Sequence, residues 1–309
     1  LPFLVWLLLN FKYRKKTQYL PFCAFNFQIY GKFTRNTVFK LKKTARFFDI
    51  FVLIIDLESL NMLKEERHQK ILNEVALHNR VLLTDIAESL NVSIDTVRRD
   101  VKELDALNKL KKVHGGAIAL GFVSFSPKNT NIYALAEKTT IAQKAISLIK
   151  NGSVVLIDGG TTCLELARLI PHKLHLTCFT LSLPVALEML TKPNVEVIFI
   201  GGKLSKDAQL SIGANAVNNL SDIRVDYSFI GTGYVDPVYG LTEFDWDIVQ
   251  LKKAVIDASK KTVLLSISEK LNSQHRYKTA DINAINTMVT ELEPSNPKLN
   301  SFRNYDINL

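Results

Sequence analysis

Three predicted strands in the second half of the chain each end in glycine, and the first of them, 153–158, is a continuous apolar run. Residues 153–158 run into Gly159-Gly160-Thr161-Thr162, 195–200 into Gly201-Gly202, and 226–230 into Gly231-Thr232-Gly233. A short continuous apolar run suits a strand buried on both faces. Between the runs the period changes. Residues 133–149 place Ala142, Ala145, Ile146 and Ile149 at helical spacing, and further helices are predicted over 163–170, 183–190 and 247–258. Strands are also predicted over 174–179, 262–268 and 287–290. Strands alternating with helices make an α/β domain with a mainly parallel sheet, which binds ligands beyond the carboxyl ends of its strands. All three glycine loops fall at such ends. At 159–162 a strand, a glycine turn and a helix would aim unpaired backbone N–H groups at an anion, with the hydroxyls of Thr161 and Thr162 as further donors. Taken alone, this loop could equally be a plain strand-to-helix turn.

Residues 92–116 read differently, as one helix followed by a basic hairpin. Ser93 is a suitable N-cap, and Asp95 sits in the first turn, where the helix dipole favours negative charge. Val97, Val101, Leu104 and Leu107 form one apolar stripe, and Thr96, Arg98, Arg99 and Lys102 lie off it. That polar face suits a major groove, where arginine reaches guanine edges or phosphates. A solvated surface helix is the plainer alternative. Residues 84–90 put Ile86, Ala87 and Leu90 on one face of a short preceding helix closed by Asn91, and 63–77 carry Ile71, Leu72 and Val75 at helical spacing. Residues 110–113 and 117–119 flank His114-Gly115-Gly116, which predicts a hairpin turn. The expectation is a winged helix-turn-helix of three helices and a two-stranded wing.

Together these motifs resemble the DeoR family of bacterial transcriptional regulators. Residues 66–72, 92–101 and 113–117 match the family's DNA-binding half. Its effector half is matched by Glu137-Lys138 with Ile141-Ala142, by 158–162, by 201–204, by Gly213, by Asp226 with Phe229-Ile230-Gly231, and by Lys252-Lys253-Ala254. The resemblance implies a winged helix that reads double-stranded DNA through Ser93, Asp95, Thr96, Arg98, Arg99, Lys102, Lys111, Lys112 and His114. It also implies a Rossmann-like domain, similar in fold to ribose-phosphate isomerases, that binds a phosphorylated sugar. Its candidate residues are Asp158, Gly159, Gly160, Thr161, Thr162, Gly201, Gly202, Lys203, Asp226, Gly231 and Lys252. The implied protein is a repressor of a sugar operon, a homo-oligomer (dimer or tetramer), with no catalysis and no cofactor.

The chain departs from the family in three places. Asn108-Lys109 stands where the family often has a glycine before the wing, and Asn tolerates the left-handed conformation. Thr180-Leu181-Ser182 replaces a frequent Thr-Asn-Ser, and Ile267-Ser-Glu-Lys270 a frequent Asp-x-Ser-Lys. The last two remove an amide and a carboxylate from the sheet edge, so the sugar contacts should differ while the phosphate end is kept. A second class of function is an isomerase-like enzyme on a sugar phosphate, using Asp158, Asp226 and Lys252 as acid/base groups. The sheet edge lacks an obvious carboxylate pair for it.

The net charge of +9 points to an acidic partner, but its distribution misleads. Residues 1–61 hold ten Lys and Arg against three acidic groups, which is +7 of the total and leaves +2 elsewhere. This segment is rich in Phe and precedes the first methionine, Met62. It is expected to lie upstream of the true start, with a basic membrane-surface arm as the alternative. Its apolar runs, 1–9 and 50–57, are shorter than the roughly 20 residues that span a bilayer. Cys23, Cys163 and Cys178 show no spacing that suggests zinc, and so few cysteines fit the reducing cytoplasm. The expected organisation is a leader to 61, a DNA-binding domain over 62–120, a linker over 121–131, an effector domain over 132–292 and a tail over 293–309.

Overall fold

The computed structural model describes residues 62–78, 80–120, 132–206 and 208–309. The expectations for the leader and the linker lie outside these residues. The DNA-binding half begins with α1 (Lys64–His78), β1 (Arg80–Leu82) and α2 (Leu83–Ser89), then α3 (Ile94–Ala106), β2 (Lys111–Val113) and β3 (Gly116–Ile118). Asn91 turns the chain between α2 and α3 with a left-handed φ of 51°. Ser93 then caps α3, its hydroxyl accepting from the Thr96 N–H at 3.1 Å. Val97, Val101 and Leu104 are fully buried against Ile71 and Val75 of α1 and Ile86 of α2. Asp100 is buried beside them, held by Arg67 at 2.5 and 3.0 Å and by His68 at 3.2 Å. Burial alone would raise its carboxyl, but the Arg67 guanidinium and the hydrogen bond from His68 outweigh it and the pKa is lowered.

Two expectations need correction here. Leu107, placed on the buried stripe, is 56% exposed, because the helix stops at Ala106 and Asn108 leaves with a φ of 52°. The wing has three strands, not two, in the order β1-β3-β2. Gly116 permits this: a Cβ there would fall on the Val81 carbonyl.

The second half is a three-layer α/β/α domain. Its strands β4 (Ser153–Ile157), β5 (Leu176–Thr180), β6 (Val195–Phe199), β9 (Val225–Ile230), β12 (Ser259–Leu265) and β14 (Thr287–Val289) form one parallel sheet, ordered β14-β12-β9-β4-β5-β6. Alternate residues face opposite layers, as period two requires. Val155, Ile157 and Phe229 pack under α4 (Leu135–Ile146), α5 (Thr161–Leu169) and α6 (Leu183–Met189). Leu156 and Ile230 pack on the other side, under α7 (Ala214–Ser221) and α8 (Trp246–Asp257). Residues 293–309, expected as a tail, belong to this second layer. Leu299 and Phe302 of a 3-10 helix are buried there, and the Met288 N–H donates to the Asn308 carbonyl at 2.8 Å.

Several short elements were not predicted. β7 (Lys203–Ser205) and β8 (Leu210–Ile212) form a hairpin over the carboxyl edge of the sheet. β10 (Tyr234–Asp236), β11 (Gly240–Glu243) and β13 (Tyr277–Ala280) form a small antiparallel sheet beside it. The strand order fixes the site. From β4 the chain moves outward through β5 and β6, then returns to place β9 on the other flank of β4. The crevice between the carboxyl ends of β4 and β9 is therefore the topological switch point, where open α/β sheets bind their ligands.

Candidate functional site

The DNA-facing candidates lie on two neighbouring elements. Arg98, Arg99 and Lys102 are exposed along α3, and Lys111, Lys112 and His114 are exposed on the wing. The Lys112 N–H donates to the Asp105 carboxylate at 3.0 Å, which fixes the wing against α3. Ser93 and Thr96 are engaged in the cap, with their hydroxyls 2.9 Å apart. Asp95 pairs with Arg98 one turn on. The outward face therefore carries cations on a helix whose other face is locked in the core, an arrangement able to lie in a groove and contact phosphates.

The effector candidates divide. One cleft at the switch point is lined by Asp158, Gly159, Gly160, Thr161, Thr162, Gly231 and Lys252. α5 starts at Thr161 with no side chain capping it, and its N-cap, Gly160, has a φ of 99° that side chains rarely adopt. The first turn's N–H groups thus point into the cleft region without a side-chain acceptor from the protein. Asp158 is buried, and its Oδ1 has no hydrogen-bond partner among the described residues. Burial pushes this carboxyl up, against the pull of Lys252 and of the Gly159 and Gly231 N–H groups.

Four candidates lie outside the cleft lining. Gly201, Gly202 and Lys203 are exposed at the end of the edge strand β6, where the β7–β8 hairpin departs. Ser205 and Leu210 of that hairpin reach the cleft in their place. Asp226 is the second residue of β9, so it sits near the amino-terminal end of the sheet, about a strand length from Gly231. There it accepts from the Val154 N–H at 2.9 Å and pairs with Lys260 at 2.9 Å, and Lys260 followed by that N–H holds its carboxyl below the usual range. Asp226 ties strand ends together and does not face the crevice.

The cleft also contains residues that sequence reasoning missed. Lys270 donates to the Thr232 carbonyl at 2.9 Å. Burial, with Lys252 nearby and despite Glu243, pushes its ammonium down to about 8. Glu243 pairs with Lys252 at 2.5 Å, and Lys252 also donates to the Gly231 carbonyl at 2.8 Å. Burial opposes the Lys252 charge, but Glu243 and Asp158 outweigh it and its pKa is raised. The two departures at the sheet edge are also placed. Leu181 is fully buried in the core, so it offers the cleft nothing. Ile267 lines the cleft as an apolar wall. His78, Arg80 and Ile118 of the DNA-binding half close the lining. Among the described residues no helix is long and apolar enough to cross a membrane.

Comparison with known proteins agrees with both halves. A profile of the DeoR-like helix-turn-helix domain matches residues 67–121, and a profile of the DeoR C-terminal sensor domain matches residues 134–292. An uncharacterized HTH-type transcriptional regulator of Haemophilus influenzae is 30% identical over 232 residues, 74% of this chain and 90% of that one. The HTH-type transcriptional repressor GlcR of Bacillus subtilis is 30% identical over 238 residues, 76% of this chain and 91% of that one. The glycerol-3-phosphate regulon repressor of Escherichia coli is 29% identical over 235 residues, 75% of this chain and 93% of that one. A ribose 5-phosphate isomerase A from Methanocaldococcus jannaschii is a weak structural neighbour, at a TM-score of 0.33 and 18% identity over 43% of this chain and 53% of that one. With both profiles matched in order and relatives aligned over nine-tenths of their length, the chain belongs to the DeoR family of transcriptional regulators.

Proposed function

We propose that this regulator represses a sugar operon and that a phosphorylated sugar sets its hold on the operator. It acts as a homo-oligomer on repeated half-sites, as helix-turn-helix proteins commonly do, and in the cytoplasm. It performs no chemistry on its ligand. The observation that carries the reading is an uncapped helix start at a switch-point crevice, flanked by Lys252 and Lys270, in a chain that also exposes Arg98, Arg99 and Lys102. The names of two relatives, GlcR repressor and glycerol-3-phosphate regulon repressor, support it. The enzymatic alternative needs Asp158, Asp226 and Lys252 together, and Asp226 stands at the far end of its strand.

The helix dipole contributes only about 0.3–1 kcal/mol at an exposed site, so hydrogen bonds and ammonium groups must supply most of the grip on phosphate. Thr161→Val/Thr162→Val keeps the shape of both side chains and removes both hydroxyls. This variant should fold and bind operator, yet release it only at much higher sugar-phosphate concentration. Operator-release titrations of wild type and variant decide the matter, and equal midpoints would mean that the phosphate binds elsewhere.

A further inference from the structure

The effector cleft is not closed by the sensor half alone. Its outer wall comes from the end of α1 and the start of β1, both parts of the DNA-binding half. His78 Nδ1 donates to the Gly233 carbonyl at 3.1 Å, and the imidazole stacks on Tyr234 with centroids 4.1 Å apart. Because a carbonyl only accepts, this bond places the imidazole proton on Nδ1. Nε2 of the neutral ring is left as an acceptor, with the Glu74 carboxylate 3.7 Å away. Arg80 lies over the Phe244 ring at 5.1 Å and meets Asp245 at 3.5 Å. Asp245 caps α8, and Lys252 follows seven residues later on the same helix. At a rise of 1.5 Å per residue, Lys252 and Asp245 are about 10 Å apart along the axis. That separation is about the length of a sugar phosphate, and the same cleft is also lined by Gly231, Thr232, Gly233, Glu243 and Phe244.

We propose that the DNA-binding half completes the effector site, with Arg80 and His78 contacting the sugar hydroxyls of a ligand whose phosphate rests at Gly159–Thr162. The proposal deepens the functional reading above and rests on it. The chemistry matches the position. A guanidinium fork and an imidazole acceptor offer donors and an acceptor to hydroxyls, and the Phe244 ring offers an apolar face to a carbon skeleton. The ligand then touches both halves at once, so its binding energy depends on how the winged helix is seated. A shared contact of this kind couples effector and operator reciprocally.

The test uses the full chain, with inorganic phosphate as one probe and glycerol 3-phosphate, glucose 6-phosphate and fructose 6-phosphate as the others, all by isothermal titration. Wild type should bind at least one sugar phosphate more tightly than phosphate. Arg80→Ala should remove about tenfold of that excess, the size of one hydrogen bond to a charged group, and leave inorganic phosphate unchanged. Asp245→Asn keeps a good N-cap but loses the charge that anchors Arg80, and it should lose clearly less of the excess than Arg80→Ala does. Equal losses in Arg80→Ala and Asp245→Asn would reduce Arg80 to an anchor between the halves and overturn the proposal. So would an Arg80→Ala chain that keeps the whole excess, or a wild type that binds no sugar phosphate better than phosphate. Thr161→Val/Thr162→Val separates the two readings. If it fails to weaken inorganic phosphate, the phosphate loop itself is misassigned, whatever Arg80 does.

Discussion

Glu243 and Lys252 meet at 2.5 Å with side chains only 6% and 8% exposed, and between them they hold the loop that carries Gly231 and Gly233. Lys252 donates to the Gly231 carbonyl, and Glu243 accepts from the Gly233 N–H at 2.9 Å. Removing one partner would leave the other charge buried and unpaired. Glu243→Ala should destabilise the fold by about 3–5 kcal/mol, whereas removing both charges together should cost less than the sum of the single changes. Urea denaturation of the two single variants and the double variant measures this. Additive losses would show that the pair is uncoupled.

Lys270 should make ligand binding depend on pH. Its ammonium is pushed down to about 8 by burial, so near pH 8.5 it is largely neutral. A phosphate dianion beside it favours the charged form and raises the pKa, so binding takes up protons. Calorimetric titrations at pH 8.5 in buffers of different ionisation enthalpy should reveal this uptake, and Lys270→Met should abolish it. Affinity should fall as pH rises through 8. A binding enthalpy independent of buffer would remove Lys270 from the phosphate's surroundings.

His78 makes the seating of the winged helix sensitive to acid. Burial, with Lys270 nearby, pushes its imidazole down from 6.5 to about 4. The unfolded chain therefore binds a proton between these values that the folded chain refuses. The stabilisation is complete above pH 6.5 and is lost as pH falls toward 4. Thermal unfolding of wild type should lose more across that interval than unfolding of His78→Gln. Parallel pH profiles for the two chains would count against a buried neutral imidazole.

On the DNA side, Arg98→Ala/Arg99→Ala should weaken operator binding by about 1–3 kcal/mol for each arginine that reads a base, and flatten the salt dependence for each that neutralises a phosphate. Both side chains are exposed on α3, so the variant should unfold at the wild-type temperature. Binding isotherms across a salt series test this, and an unchanged slope with unchanged affinity would take α3 out of the groove.

The long periodic segments were legible because burial writes a period into the sequence. The run at 153–158 and the stripe of Val97, Val101 and Leu104 each face a core, and each formed the expected element. What stayed hidden was short or decided by distant partners. β1, β7, β8 and β10 are three residues each, too brief for any period to show. Glu243 is one carboxylate in a short strand, and only the fold brings Lys252 to it. Asp226 failed for the opposite reason. It stands in a run that ends at the crevice, but a residue near the start of a strand and one at its close lie at opposite edges of the sheet. Lys270 lies within the departure at 267–270, and only the fold buries its ammonium beside the Thr232 carbonyl and Lys252.

The third strand of the wing has a mechanical consequence. Arg80 pairs with Ile118, and Ile118 pairs with Lys111, so the three form one rung across the small sheet. Strands lie about 4.8 Å apart, which puts the backbone of Arg80 about 10 Å from that of Lys111. One end of the rung borders the cleft and the other lies on the cationic wing. A push on Arg80 would therefore tilt the wing as a rigid lever, with no hinge between the lever's two ends.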